Sequence, residues 1–117
     1  MEVVILPSAT EVGVLAARKI VHVVARKPDA VLGLATGSSP LAIYAALAAQ
    51  VRDGSLDASG VSGFALDEYV GIPAGHPQSY AAVLRRVAEP LGIDPARLHV
   101  PDGRAADLEK ACLLYTS

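Results

Sequence analysis

Two short segments hold the residues best suited to chemistry: Leu32-Gly33-Leu34-Ala35-Thr36-Gly37-Ser38-Ser39-Pro40 and Leu66-Asp67-Glu68-Tyr69-Val70-Gly71. In the first, Gly37 lets the backbone turn closely around an anion, while the hydroxyls of Thr36, Ser38 and Ser39 and the amides of a following helix converge on it. Amides at a helix N-terminus, reinforced by the helix dipole, bind phosphate without a lysine. In the second, Asp67 and Glu68 follow a run of apolar residues, which places at least one carboxylate at the end of a buried strand. A partly desolvated carboxylate in that position is suited to proton transfer. The pair of segments points to chemistry on a phosphorylated small molecule, with the anion held by one strand-end loop and a proton moved from the next.

Each feature also has a plainer reading. The glycine-containing segment fits a capped strand-to-helix turn, and an Asp-Glu pair fits a turn cap or a partner for an arginine. The first segment is neither the P-loop pattern, which ends in Gly-Lys-Ser/Thr, nor the dinucleotide fingerprint, so a nucleotide is not indicated. Tyr69 either packs under its loop or reaches a ligand, and His76 either touches a ligand or bonds the backbone. His22 reads as a surface or boundary residue of the first helix and His99, inside a strand, as structural. Arg85 and Arg86 are not placed by spacing: each reads as a solvated helix-surface residue, with the approach of one of them to a phosphate as the alternative. No spacing of His, Cys or carboxylates resembles a metal site, and no cofactor is expected.

The elements that must position these residues follow from periodicity. Met1 to Leu6 reads as a short apolar strand. Ser8 or Thr10 caps a helix running to about Arg26, with Val12, Leu15, Ala16, Ile20, Val23 and Val24 on its apolar stripe. Ala30 to Leu34 is too short for a helix and apolar on both faces, as in a buried parallel strand. Pro40 suits the first position of a helix that runs to Arg52 and ends at Asp53-Gly54. Val61 to Leu66 is a further strand, weakened by Gly63. Gly71, Pro73, Gly75 and Pro77 then open it into a loop longer than most strand-to-helix connections. Ser79 caps a helix to about Glu89, Asp94-Pro95 starts a turn, Arg97 to Val100 forms a last strand, and a final helix starts near Ala105. This alternation predicts an α/β fold, a Rossmann-like parallel sheet with flanking helices, whose strand-end loops form the ligand crevice.

The 117 residues are enough for one domain, and 52% hydrophobic content is ample for a core. Ala, Val and Leu dominate while aromatics are scarce, which favours thin side chains packed between helices and sheet. Ten basic against twelve acidic residues give a net charge of −2 with no basic block, so nucleic acid is not an expected partner. The Val3-Val4-Ile5-Leu6 run is too short to span a membrane and lacks a basic flank. Cys112 is the single cysteine, which excludes an internal disulfide framework and makes a reducing cytoplasm the expected location.

The same residues carry a resemblance to the glucosamine-6-phosphate deaminase family. It rests on the segments Lys27-Pro28-Asp29-Ala30-Val31-Leu32-Gly33-Leu34-Ala35-Thr36-Gly37-Ser38-Ser39-Pro40, then Phe64-Ala65-Leu66-Asp67-Glu68-Tyr69-Val70-Gly71, then His76-Pro77-Gln78-Ser79-Tyr80, in that order. The resemblance implies conversion of glucosamine 6-phosphate and water to fructose 6-phosphate and ammonium, in amino-sugar catabolism. It implies that Thr36, Gly37, Ser38 and Ser39 hold the sugar phosphate and that Asp67 is the base moving a proton between C2 and C1 of the opened sugar. Glu68, Tyr69 and His76 are candidates for supporting the site. Ser39 stands where many members have Thr, and Ala65 stands where members often carry Asn.

The resemblance also implies a later ring-opening histidine in an Asp-Gly-His segment, and a basic residue closing over the phosphate, neither of which this sequence contains. Residues 1–112 are therefore expected to be the N-terminal part of one sugar-phosphate deaminase domain, inactive alone, and Leu113 to Ser117 a non-native or truncated tail. A sheet cut mid-domain leaves an exposed edge and an expectation of aggregation. Two other functions fit less closely. A 6-phosphogluconolactonase shares the phosphate loop but typically has Asp-Glu-Arg where this chain has Asp67-Glu68-Tyr69, and a non-catalytic sugar-phosphate-binding domain needs the loop alone. Homo-oligomerisation of a full-length protein is left open by these residues.

Overall fold

A computed structural model describes residues 1–73 and 75–116; Ala74 of the long loop and Ser117 of the expected tail lie outside the described residues. The first helix, α1 (Ala9–Arg26), starts where Ser8 Oγ accepts the Glu11 amide at 3.2 Å, and Glu11 complements the positive end of its dipole. It packs on α2 (Leu41–Arg52). At Gly13 the backbones come close, since a Cβ there would fall 2.6 Å from the Ala42 carbonyl. Only a residue without a side chain lets the two backbones meet there.

Three strands, β1 (Val31–Leu34), β2 (Ser62–Ala65) and β3 (Leu98–His99), form a parallel sheet in the order β1-β2-β3. Leu34 pairs with Ala65, and Gly63 and Phe64 pair with Leu98 and His99. Gly63 is more than a weak point in β2. A Cβ there would lie 2.5 Å from Leu34 Cδ1 and 3.0 Å from Leu98 Cδ2, so its absence lets the neighbouring leucines close over the central strand. After β2 come α3 (Tyr80–Ala88), capped by Ser79, a short 3-10 turn at Glu89–Leu91 and a second at Pro95–Arg97 capped by Asp94. The last helix, α4 (Leu108–Thr116), begins a turn later than Ala105 because Asp107, which accepts the Lys110 amide, provides the cap.

The core is built from the thin side chains that the composition favours. Ala17, Val24, Leu47, Leu56, Val61 and Leu91 form the larger cluster, and Leu34, Ala65 and Leu84 a smaller one. Two expectations fail. Met1 to Leu6 joins no strand, and Val3 and Ile5 stay 71% and 90% exposed, since no described strand offers this segment a ladder partner. The β1 strand is not buried on both faces: Val31, 63% exposed, and Gly33 share an uncovered face, while Leu34 on the other face is buried. No helix among the described residues is long and apolar enough to cross a membrane.

The Gly13 contact gives a direct stability test. Gly13→Ala places a methyl group against the Ala42 backbone, and an overpacked contact of this kind costs about 1–3 kcal/mol despite the better helix propensity of alanine. Urea denaturation should show the midpoint falling with an unchanged slope.

Candidate active site

The β1-β2 register brings the two chemical segments together. With Leu34 beside Ala65, Thr36 and Asp67 are each two residues past paired positions and leave adjacent strands at the same level. Neighbouring strands lie about 4.8 Å apart, so both turns open at one edge of the sheet. This edge is the carboxyl end of the strands, where open α/β sheets bind ligands.

In the Thr36 to Pro40 turn, Gly37 has φ +92°, a left-handed conformation that side chains rarely adopt. The helix starts at Leu41, with Pro40 (φ −81°, ψ −5°) as its N-cap and not its first residue, and no side chain caps it. The Leu41 amide donates to Ser38 O at 3.3 Å. Ser38 and Ser39 are exposed and Thr36 half-buried. None of their hydroxyls makes a hydrogen bond to another described residue. The plainer reading of this segment required Ser or Thr to cap α2, and neither does. What remains is a helix N-terminus with its dipole and with hydroxyls that no described residue engages.

Tyr44, one turn into α2, anchors the start of this segment. Its hydroxyl donates to Ala35 O at 2.5 Å, at the carbonyl immediately before Thr36. Burial raises its phenol pKa above the ordinary value of 10.0. Sequence reasoning did not single out Tyr44, since a tyrosine in an alanine-rich helix signals packing and nothing more.

The two carboxylates of the second segment have different surroundings. Asp67 is exposed, and neither of its oxygens is used by another described residue, so of the pair only Glu68 is partly desolvated. Glu68 is half-buried, with Oε1 accepting the Tyr69 and Tyr80 amides at 2.9 and 3.0 Å and Oε2 accepting the Ala81 amide at 3.1 Å. Glu68 thus takes the capping role that was open to either residue. Tyr69 packs its ring 4.8 Å from that of Tyr80, with the two hydroxyls 3.2 Å apart. The Tyr80 hydrogen bond, then the nearby charges, raise the Tyr69 phenol pKa. Gly71, at φ +82°, donates to Gly103 O at 2.7 Å, and a side chain at Gly103 would collide with the Tyr69 carbonyl.

The structure gives His76 a backbone role: Nδ1 accepts the Gln78 amide at 3.1 Å. His99 stacks on Phe64 with centroids 4.4 Å apart. Tyr115 is a second residue without a sequence signal. Its hydroxyl lies 2.5 Å from Ala65 O and 3.0 Å from His99 O, donating its one proton between the ends of β2 and β3, and burial raises its phenol pKa. Behind the Asp67 loop is a cavity of about 410 Å³ lined by Glu68, Arg85, Leu98, Val100 and Arg104, among others, but not by Asp67 or the Gly37 turn.

Residues 8–117 match the family described as glucosamine-6-phosphate isomerases/6-phosphogluconolactonase. The chain is 55% identical over 116 residues to a glucosamine-6-phosphate deaminase of Streptomyces coelicolor, covering 98% of this chain and 44% of that protein. It is 55% identical over 116 residues to one of Arthrobacter sp., covering 98% of this chain and 45% of the relative, and 56% identical over 101 residues to one of Bifidobacterium longum, covering 86% and 37%. Among solved structures, a monomeric glucosamine-6-phosphate deaminase of the NagB superfamily superposes with a TM-score of 0.92 at 34% identity, over 98% of this chain and 48% of that one. The chain therefore spans less than half the length of these relatives.

Tyr44 supplies the test of the anchoring geometry. Its raised pKa means the unfolded chain releases this proton first, so stability is fully present below pH 10.0 and falls as pH rises from there through the higher folded value. Tyr44→Phe should cost about 1 kcal/mol in denaturation at neutral pH. It should also remove one high-pH component from a phenolate absorbance titration.

Proposed function

Since the chain belongs to the glucosamine-6-phosphate isomerase/6-phosphogluconolactonase family, we propose that its two strand-end turns are the phosphate-binding and proton-transfer part of a glucosamine-6-phosphate deaminase site. The observation that carries this reading is the register: an uncapped helix N-terminus and an unengaged carboxylate leave adjacent parallel strands at one level. The naming of the relatives as deaminases favours this substrate over a phosphogluconolactone.

In this reading the sugar phosphate sits in the Thr36 to Ser39 turn. Its charge is met by the amides and dipole of α2 and by the hydroxyls of Thr36, Ser38 and Ser39. Fixing the phosphate fixes the far end of the opened sugar, which converts proton transfer into a reaction within one complex. Asp67 is the base. It takes the proton from C2 and returns it to C1 through an enol-type intermediate, after which water replaces ammonia at C2 and fructose 6-phosphate and ammonium leave. Glu68 is not the base, because both its oxygens already accept backbone amides. Tyr69 and His76 support the loop without touching the sugar. A cytoplasmic place in amino-sugar breakdown follows from the same reading. The ring-opening histidine implied by the resemblance has no counterpart in these residues, so this chain binds the sugar phosphate without turning it over.

Titrating the isotope-labelled chain with glucosamine 6-phosphate should move the amide resonances of Gly37, Ser38, Ser39 and Leu41. Gly37→Val should abolish those shifts, and Asp67→Asn should leave them in place. Shifts scattered elsewhere, or none, would sink the phosphate assignment. In a protein of the relatives' full length, Asp67→Asn should lower kcat by about 100-fold or more while KM changes little. Ammonia release by the 117-residue chain itself would overturn its assignment as binding without turnover.

A further inference from the structure

Among the described residues, none makes a hydrogen bond or ion pair with the Asp67 carboxylate on which this reading rests. Asp67 and Leu66 are both exposed, and Leu66 keeps 74% of its surface in solvent. What flanks them is fixed. On one side Ala65 is buried, paired with Leu34, and has its carbonyl taken by Tyr115. On the other side the Glu68 carboxylate is filled by three amides, from its neighbour Tyr69 and from Tyr80 and Ala81 in the first turn of α3. We infer that Glu68 is a positioning residue, whose carboxylate ties the Asp67 turn to the N-terminus of α3 and so sets the direction in which Asp67 faces.

The chemistry suits that role. An ionised carboxylate accepting from amides makes charge-assisted hydrogen bonds, and its charge lies at the positive end of the α3 dipole. It reaches the two helix amides that Ser79 leaves over, since Ser79 Oγ takes the Ala82 amide at 3.0 Å. The tie therefore joins two elements, where an ordinary cap serves only its own helix. Past Glu68 the loop is pinned again by the Gly71 to Gly103 hydrogen bond of 2.7 Å, so that movement at Glu68 is not absorbed downstream. Glutamine at this position could satisfy Tyr69 and Tyr80 through its oxygen but would turn an amide toward the Ala81 N–H. Alanine would release all three.

The inference depends on Asp67 being the proton-moving group, so it is tested without ligand, on the labelled 117-residue chain. Glu68→Gln and Glu68→Ala are compared with Ser79→Ala, which loosens the same helix from its other cap. The readouts are hydrogen exchange at Tyr69, Tyr80 and Ala81 and the side-chain carboxyl carbon resonance of Asp67. Exchange should accelerate about tenfold or more at Ala81 in the glutamine variant and at all three amides in the alanine variant. The Asp67 resonance should move in both and stay in place in Ser79→Ala. Labile α3 amides with an unmoved Asp67 resonance would reduce Glu68 to a helix cap and overturn the inference, as would no change at all. If Glu68→Ala does not fold by circular dichroism, Glu68→Gln decides. Loss of the phosphate assignment would leave this result standing, and failure here would leave phosphate binding untouched.

Discussion

Because Leu34 is paired in register with Ala65, the chain leaves two neighbouring strands at one height, and every other feature of the site depends on that pairing. A slip of one residue would turn each side chain of a strand to the opposite face and offset the two turns. Leu34 and Ala65, buried with Leu84 in the smaller core cluster, resist such a slip. The ladder is short, and Gly63 strengthens it indirectly by admitting Leu34 and Leu98 over the central strand. Packing and hydrogen bonding thus specify the same register, a consistency that gives a fold one outcome.

Where the ladder stops, the backbone's polar groups still need partners, and helices supply them. Tyr44 from α2 takes the carbonyl of Ala35, and Tyr115 from α4 takes that of Ala65, so the ends of β1 and β2 are tied by the same kind of bond from two different helices. Each tyrosine contributes an apolar ring and a polar tip, which suits the boundary between a buried strand and a solvated turn. The Glu68 carboxylate does comparable work for the amides of α3. The chemically useful groups are those left out of this accounting: the start of α2 and the carboxylate of Asp67.

The fold class and the positions of most elements could be read from periodicity, Pro and Gly placement and caps. Ser8 and Ser79 begin their helices, and Asp53-Gly54 ends α2, because these signals act within a few residues. Long-range facts were less accessible. The exposed Met1 to Leu6 segment has strand composition, but composition does not supply a neighbouring strand. The edge position of β1 depends on sheet order, which local pattern leaves open. At the site, Thr36 to Ser39 and the acidic pair stood out by residue type, whereas the division of labour between Asp67 and Glu68 became visible only when α3 was placed against the loop. Tyr44 and Tyr115 gave no signal because their hydroxyl partners are main-chain carbonyls, which look alike in every sequence.

The order of strands in the sheet has a consequence for how the molecule comes into being. Sheet order follows chain order, so each strand joins one already present, and the pairing that builds the site involves only residues from Val31 to Ala65. Each closure spans one crossover, which keeps the entropy of bringing the ends together modest. During synthesis from the N-terminus, the α2 turn and the Asp67 turn can be juxtaposed as soon as β2 emerges, before α3 and α4 exist to brace them. Geometry comes first in this sequence of events, and rigidity is added by the segments that follow.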